Sequence, residues 1–219
     1  MAWLDIDKKG RAGFKHNNMR TRAFNVIAHM AETGCTPMQA MLAGLEWAVN
    51  DTDAEFLVVS TLSKLDKLFW LNNVARWKAH PNLKERDNGH WPNGEQLNDH
   101  ATFSHACDML GMHIIYLIHR RFFAADEAGK KQSTAITISS SSEVMVPAIR
   151  GQGGKFYTAD ATLQIVMHAF RDTTTRKIRR QAHIGYNAHG EGKNRYEGLL
   201  PDMQEPPNLR KLLKMAWGE

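Results

Sequence analysis

The sequence predicts an α+β fold that is mainly α: a helical domain, then a small β-containing basic segment, then a C-terminal helix. Three observations carry it. Apolar residues recur at helical spacing between residues 20 and 128, the period shortens to two after Gly129, and a last helical stripe follows Pro207. The expected boundaries are a basic N-terminal arm over 1–19, a helical domain over 20–128, a basic α/β segment over 129–187, and an extended tail with a short helix over 188–219.

Taken in chain order, the first nineteen residues mix Gly10, Gly13, Asn17 and Asn18 with bases and hold no period, which reads as an arm with a short strand at Trp3 to Ile6. Phe24, Ile27, Ala28 and Ala31 follow helical spacing, and Gly34 supplies the left-handed cap that ends a first helix near Thr33. Thr36-Pro37 is an N-cap followed by proline at the first helical position, and Met38, Met41, Leu42 and Leu45 make the stripe behind it. Asp51 or Asp53 is expected to cap a long helix to about Lys78, with Leu62, Leu65 and Phe69 inward and Pro81 closing it. After a loop over 80–96, Asn98 or Asp99 should cap the most apolar helix, with Phe103, Cys107, Leu110, Ile114 and Leu117 on one face up to Gly129.

Beyond Gly129, Ile136, Ile138, Val144 and Val146 alternate across the run Ser139 to Ser142, which is strand chemistry, as a hairpin or as one long strand. Leu163, Val166, Met167 and Phe170 fit a helix from about Ala159 to Arg171, with a strand as the alternative its β-branched residues leave open. Ile178, Ala182, Ile184 and Tyr186 favour an extended segment. Residues 187–208 read as loop, and Pro207 opens a last helix with Leu209, Leu212, Leu213 and Trp217 as its docking face.

Composition narrows the classes. With 219 residues, 42% hydrophobic and 23% charged, the chain can bury a core without disulfides or a structural metal. Cys35 and Cys107 match no CxxC pair and no zinc spacing, and read as buried thiols of a reducing compartment. The longest apolar stretch, Ile114 to Ile118, is far short of the roughly 20 residues of a membrane span, and Asp5 and Asp7 disfavour a signal peptide. No membrane partner and no cofactor is expected, and the expected location is cytoplasmic, or a virion if the chain is viral.

The formal net charge of +5 is segregated: residues 1–22 balance at +4, 23–128 at −5, 129–187 at +6 and 188–219 at zero. Two basic regions flanking an acidic middle point to a polyanionic partner. The arm offers Lys8, Lys9, Arg11, Lys15, Arg20 and Arg22. The late segment offers Arg150, Lys155, Arg171, Arg176, Lys177, Arg179 and Arg180, with Thr173, Thr174 and Thr175 as hydroxyl donors among them. Guanidinium and ammonium groups neutralise phosphate and release counterions, while hydroxyls and backbone N–H groups fix register. With Ile178 and Ala182 inward, Lys177, Arg179, Gln181 and His183 would form a basic ribbon on the outer face; a solvated edge strand is the alternative.

Gly151-Gln152-Gly153-Gly154-Lys155 offers a nest of N–H groups, yet it is no Walker A loop, because the glycine spacing is short and Phe156 stands where Ser or Thr is required. Phe156 and Tyr157 are candidates for base stacking, with core packing as the alternative. His100, His105, His113 and His119 are separated by five, eight and six residues, which scatters them around a helix and argues against a metal. Glu191-Gly192-Lys193, with Asp160 or Asp172 as a second acid, carries a metal-dependent nuclease alternative, weakened by its glycine-flanked, loop-like setting. A helix-turn-helix over 22–48 would lack a basic recognition helix.

The sequence therefore predicts a non-enzymatic nucleic-acid-binding protein that holds the phosphate backbone without strong sequence readout, DNA and RNA both fitting, as part of a larger nucleoprotein assembly. Protein partners or self-association would use the helical domain and the C-terminal helix. The alternatives are a structural subunit of a viral or phage-like assembly held by its terminal arms, and the nuclease.

Overall fold

A computed structural model of the 219-residue chain describes residues 1–6, 21–80, 82, 90–124, 143–147, 155–158, 163–184, 193–194, 200–201, 203–208, 211–212 and 214–215. The chain forms two units, one of Met1–His119 with Pro147–Tyr157, the other of Arg120–Val146 with Thr158–Glu219.

The first unit is α/β, and this overturns the expected helical domain. Its strands β1 (Ala2–Asp5), β2 (Arg22–Asn25), β3 (Phe56–Ser60) and β4 (His113–Leu117) form one parallel sheet in the order β2-β1-β3-β4. Helices α1 (Val26–Thr33) and α2 (Pro37–Asn50) connect β2 to β3, and α3 (Leu62–Ala79) and α4 (Trp91–Asp108) lie between β3 and β4. Of these four strands, the sequence reading placed only the short one near Trp3. Phe24 lies in β2, Leu57 to Val59 lie in β3, and Ile114 and Leu117 lie in β4, all within stretches read as helix.

For β3 the reason is burial on both faces. Parallel strands covered by helices need no polar alternation, so a short apolar run carries no period of two and resembles a piece of buried helix. Every residue of β1 is buried, and β3 is buried from Leu57 to Ser60. Val58, Val59, Ile114 and Ile115 are the residues whose branched side chains favour the pleated conformation.

Helix ends followed local chemistry more closely. Gly34 caps α1 with φ 68°, its N–H bonded to the Met30 carbonyl. Thr36 caps α2 in a full capping box with Gln39, and Pro37 opens the helix. Asp51 ends α2 instead of starting the next helix, which begins at Leu62, and α4 begins at Trp91, ahead of Asn98 and Asp99. The α4 helix stops at Asp108, because Gly111 at φ 66° turns the chain into β4.

The core of this unit joins Leu4 and Ile6 with Met41 of α2, Leu57 and Val59 of β3, Leu65 and Phe69 of α3, and Phe103 and Cys107 of α4. Each aliphatic or aromatic side chain so buried contributes roughly 1.5–3 kcal/mol. Gly44 lets α2 lie close to the sheet: a Cβ there would stand 2.8 Å from Leu4 Cδ2 and 3.1 Å from Phe24 Cδ1.

The second unit is built from short strands. β5 (Arg120–Ala124) pairs with β6 (Glu143–Pro147), the latter holding Val144 and Val146. After one helical turn, α5 (Lys155–Thr158), whose first three residues belong to the first unit, β7 (Leu163–Gln164) pairs antiparallel with β10 (Lys193–Asn194). β8 (Val166–Arg171), β9 (Ile178–His183) and β11 (Met203–Gln204) form an antiparallel sheet in the order β11-β9-β8. Of the helix expected over 159–171, residues 159–162 lie outside the described residues and the rest is strand at Leu163–Gln164 and Val166–Arg171, since six residues of β8 pair with β9 and that ladder outweighs a chance match to helical spacing. Ala182, Ile184, Leu200 and Leu212 make a small core with Leu163 and Ile165. Asn208 opens the last helical turn: its Oδ1 accepts from Lys211 N at 2.9 Å and its carbonyl from Leu212 N at 3.0 Å.

Candidate nucleic-acid interface

The β8–β9 hairpin presents most of the late basic residues. Its loop is built by Asp172, whose Oδ1 accepts from Thr174 N at 2.9 Å and Thr175 N at 2.8 Å while its carbonyl accepts from Arg176 N at 2.8 Å. The Asp172 N–H donates to the Lys177 carbonyl at 2.9 Å and closes the loop, which requires Arg176 to turn back at φ 57°. Aspartate does this because its short side chain reaches the N–H two residues on. Arg171 Nε donates across the loop to the Arg176 carbonyl at 3.2 Å.

Register sorts the cations by face. Ala169 opposes Arg180, Phe170 opposes Arg179, and Arg171 opposes Ile178. Alternation along the strand puts Ile178, Arg180 and Ala182 on one face and Arg179, Gln181 and His183 on the other. Ala182 is buried as expected, but Ile178 is 64% exposed, so the inward pairing of those two residues does not hold. The hairpin outruns its core by the length of its tip.

Of the basic ribbon expected on the other face, Arg179 is paired with acids. Arg179 Nη1 meets Asp172 Oδ2 at 3.2 Å, its Nε donates to Glu205 Oε1, and Gln181 Nε2 donates to Glu205 Oε2 at 2.8 Å. The Thr175 N–H, and after it the Arg179 guanidinium, hold the Asp172 carboxyl below its ordinary range. Arg179, and after it Gln181, do the same for Glu205. Arg171, Arg176 and Lys177 are exposed at the tip around the exposed Thr173, Thr174 and Thr175, and Arg180 is exposed further along β9, opposite Ala169. Three cations around three hydroxyls on a hydrogen-bonded loop, with a fourth on β9, can hold phosphate oxygens.

The remaining sequence candidates distribute as follows. Arg22 is exposed in β2 and donates to the Asp51 carbonyl, which ties the edge strand to the end of α2. Lys155 begins α5, while Lys8, Lys9, Arg11, Lys15, Arg20 and Arg150 lie outside the described residues, as do Glu191 and Asp160. Asp172, the other acid of the nuclease alternative, is committed to its loop. Among the described residues no group of three or more His, Cys, Asp or Glu side chains could hold a metal ion.

Phe156 is 36% exposed, but Tyr157 is buried and cannot offer its ring to a base. It belongs to a polar network that sequence reasoning missed. His100 Nδ1 lies 2.8 Å from Tyr157 Oη, His100 Nε2 lies 3.0 Å from Asp66 Oδ1, and Gln96 Nε2 donates to the Asp66 carbonyl at 3.1 Å and to its carboxylate. With the imidazole proton on Nε2, tyrosine donates to histidine, histidine to aspartate, and every buried group has a partner. Burial pushes the Tyr157 hydroxyl above its ordinary range and keeps it protonated. All four side chains are buried, so the network fastens α5 to α3 and α4 and does not meet solvent. The available signal was polar residues falling on stripes that the apolar spacing marks as inward: Asp66 beside Leu65 and Phe69, His100 beside Phe103.

A second polar seam lies further along α3. Asn73, fully buried, donates to Asp99 Oδ2 at 2.7 Å and accepts from Arg76 Nη1 at 3.3 Å, and Arg76 covers the Trp91 ring at 5.1 Å. Burial raises the Asp99 carboxyl above its ordinary range, against the opposing Asn73 hydrogen bond.

At the sheet's C-terminal edge, Asn25, Asp5 and Ser60 stand in one register row where the strand order reverses around β1. Asn25 accepts from Ala28 N at 2.9 Å as the α1 cap, and Asp5 and Ser60 are buried. Among the described residues no helix is long and apolar enough to cross a membrane. No protein-family model matches this chain, and no curated protein and no solved structure matches it.

Proposed function

We propose that this protein binds nucleic acid without enzymatic chemistry, through phosphate contacts made by the tip of the β8–β9 hairpin, within a larger nucleoprotein assembly. One observation carries the reading: Arg171, Arg176 and Lys177 are exposed around a loop that Asp172 braces with hydrogen bonds, and Arg180 is exposed behind it on β9. A rigid loop loses little conformational freedom on binding, so its charge converts into affinity efficiently. The segregated charge supports it, since residues 129–187 balance at +6 against −5 over 23–128.

The test is binding of labelled single- and double-stranded DNA and RNA across a salt series, with an alanine variant at Arg171, Arg176, Lys177 and Arg180. Each phosphate neutralised adds about 0.9 to the logarithmic salt slope on duplex DNA, so removing all four cations should flatten it by about 3–4. Binding that survives the substitutions with its slope intact would move the interface to the N-terminal arm, where alanines at Lys8, Lys9, Arg11, Lys15 and Arg20 would locate it. Absence of binding at low salt would overturn the reading and favour an assembly subunit held by protein contacts.

A further inference from the structure

We infer that Glu205 withholds Arg179 from nucleic acid, acting as a built-in competitor for phosphate; the inference rests on the nucleic-acid reading above and names what sets its strength. The guanidinium of Arg179 is engaged along two edges, Nε by Glu205 and Nη1 by Asp172 at 3.2 Å. A carboxylate offers guanidinium the same paired oxygens as a phosphate, so these two acids occupy the donors a phosphate would need. Both are held in place. The second oxygen of Glu205 is taken by Gln181 at 2.8 Å, and the second oxygen of Asp172 by two loop N–H groups.

Exposure makes the competition real. The Arg179 side chain is 48% exposed while those of Asp172 and Glu205 are 15% and 22% exposed, so the arginine is within reach of a polyanion while its two acids are largely covered. The neighbouring Arg176 and Lys177 are exposed on the same hairpin, and a polyanion docked on them would lie beside Arg179. The two acids differ in their second duty. Asp172 builds the loop, and its removal would undo the hairpin, whereas the Glu205 carboxylate bonds only Arg179 and Gln181 among the described residues. Glu205 is therefore the group whose neutralisation releases the Nε edge of Arg179 to a phosphate, as a fifth cation, while Asp172 keeps the loop built.

The experiment measures binding of a labelled 20-base-pair DNA duplex across a salt series to the full chain, to Glu205→Gln, to Arg179→Gln, and to the double variant. Glu205→Gln is expected to steepen the logarithmic salt slope by about 0.9 and to tighten binding on the order of tenfold at low salt. The double variant should lose that gain, because the gain runs through Arg179 and not through the general rise in net charge. Glu205→Gln with unchanged slope, or a gain that survives Arg179→Gln, would overturn the inference while native binding leaves the nucleic-acid reading standing. No binding by the native chain would remove both. Where circular dichroism shows that Glu205→Gln does not fold, Arg179→Gln decides alone. Its slope change should be less than half that of Arg180→Gln, and an equal change would overturn the inference.

Discussion

His100 bridges Asp66 and Tyr157 with both ring nitrogens, 3.0 Å from the carboxylate and 2.8 Å from the phenol, at zero solvent exposure. Phe69 meets the imidazole edge-on with centroids 5.2 Å apart, and Tyr116 packs against Tyr157 at 4.9 Å, so the polar chain runs through an aromatic wall. Its two hydrogen bonds fasten three segments distant in sequence, α3, α4 and α5.

Removing the bridge should cost far more than removing its end. His100→Ala leaves the Asp66 carboxylate and the Tyr157 hydroxyl buried and short of a partner and opens a cavity, for a loss of about 3 kcal/mol. Tyr157→Phe keeps the ring and drops one hydrogen bond, for about 1 kcal/mol. Urea denaturation of the two variants checks the order, and a Tyr157→Phe loss equal to that of His100→Ala would show that the bond to Asp66 contributes little.

The two thiols should react in sequence. Cys107 is buried, and burial pushes its pKa up to about 12, whereas Cys35 is half-exposed where α1 gives way to α2. The thiolate is the reactive form, so a native chain treated with an aromatic disulfide reagent at about pH 8 should release one equivalent promptly and the second only on denaturation. This also amends the expectation that both cysteines are buried.

Stability and binding should part company at Arg176. Its φ of 57° suits glycine better than a residue with a Cβ, so Arg176→Gly should stabilise the hairpin by up to about 1 kcal/mol. The same change removes one tip cation and should flatten the salt slope by about 0.9. Thermal melts and the binding series read the two effects separately, and a less stable Arg176→Gly would mean that the arginine side chain holds the loop.

Carboxyl titrations followed by NMR should move in opposite directions in the two units. Asp172 and Glu205 should titrate below their ordinary 3.8 and 4.5, and Asp99 above its ordinary 3.8. For the lowered pair, the folded state gains from ionisation, so their contribution is present above the ordinary values and is lost as pH falls through the lowered ones. For Asp99 the sign reverses: burial favours the neutral form, so the contribution is full below 3.8 and is lost as pH rises through the raised value. An Asp99 midpoint at or below 3.8 would mean that Asn73 and Arg76 outweigh burial.

What the sequence determined by itself was local. The Gly34 cap, the Thr36-Pro37 start with its Gln39 reply, the short first strand, and the extended chain at Ile178 to His183 all depend on residues within a few positions of one another, and all were legible. The concentration of bases between residues 171 and 180 was legible too, because charge is additive along a chain. The fold class was not. Leu57 to Val59 and Ile114 to Tyr116 are apolar runs whose meaning depends on whether a neighbouring strand is present, and the neighbours that make them a sheet are β1 at the start of the chain and each other. Nor could spacing reveal that Glu205 reaches Arg179 across 26 residues, or that His100 meets Tyr157 across 57. Tertiary structure decided which bases stay exposed and which polar groups are buried, because pairing across the chain is set by strand register and helix packing, and neither leaves a periodic trace in one segment.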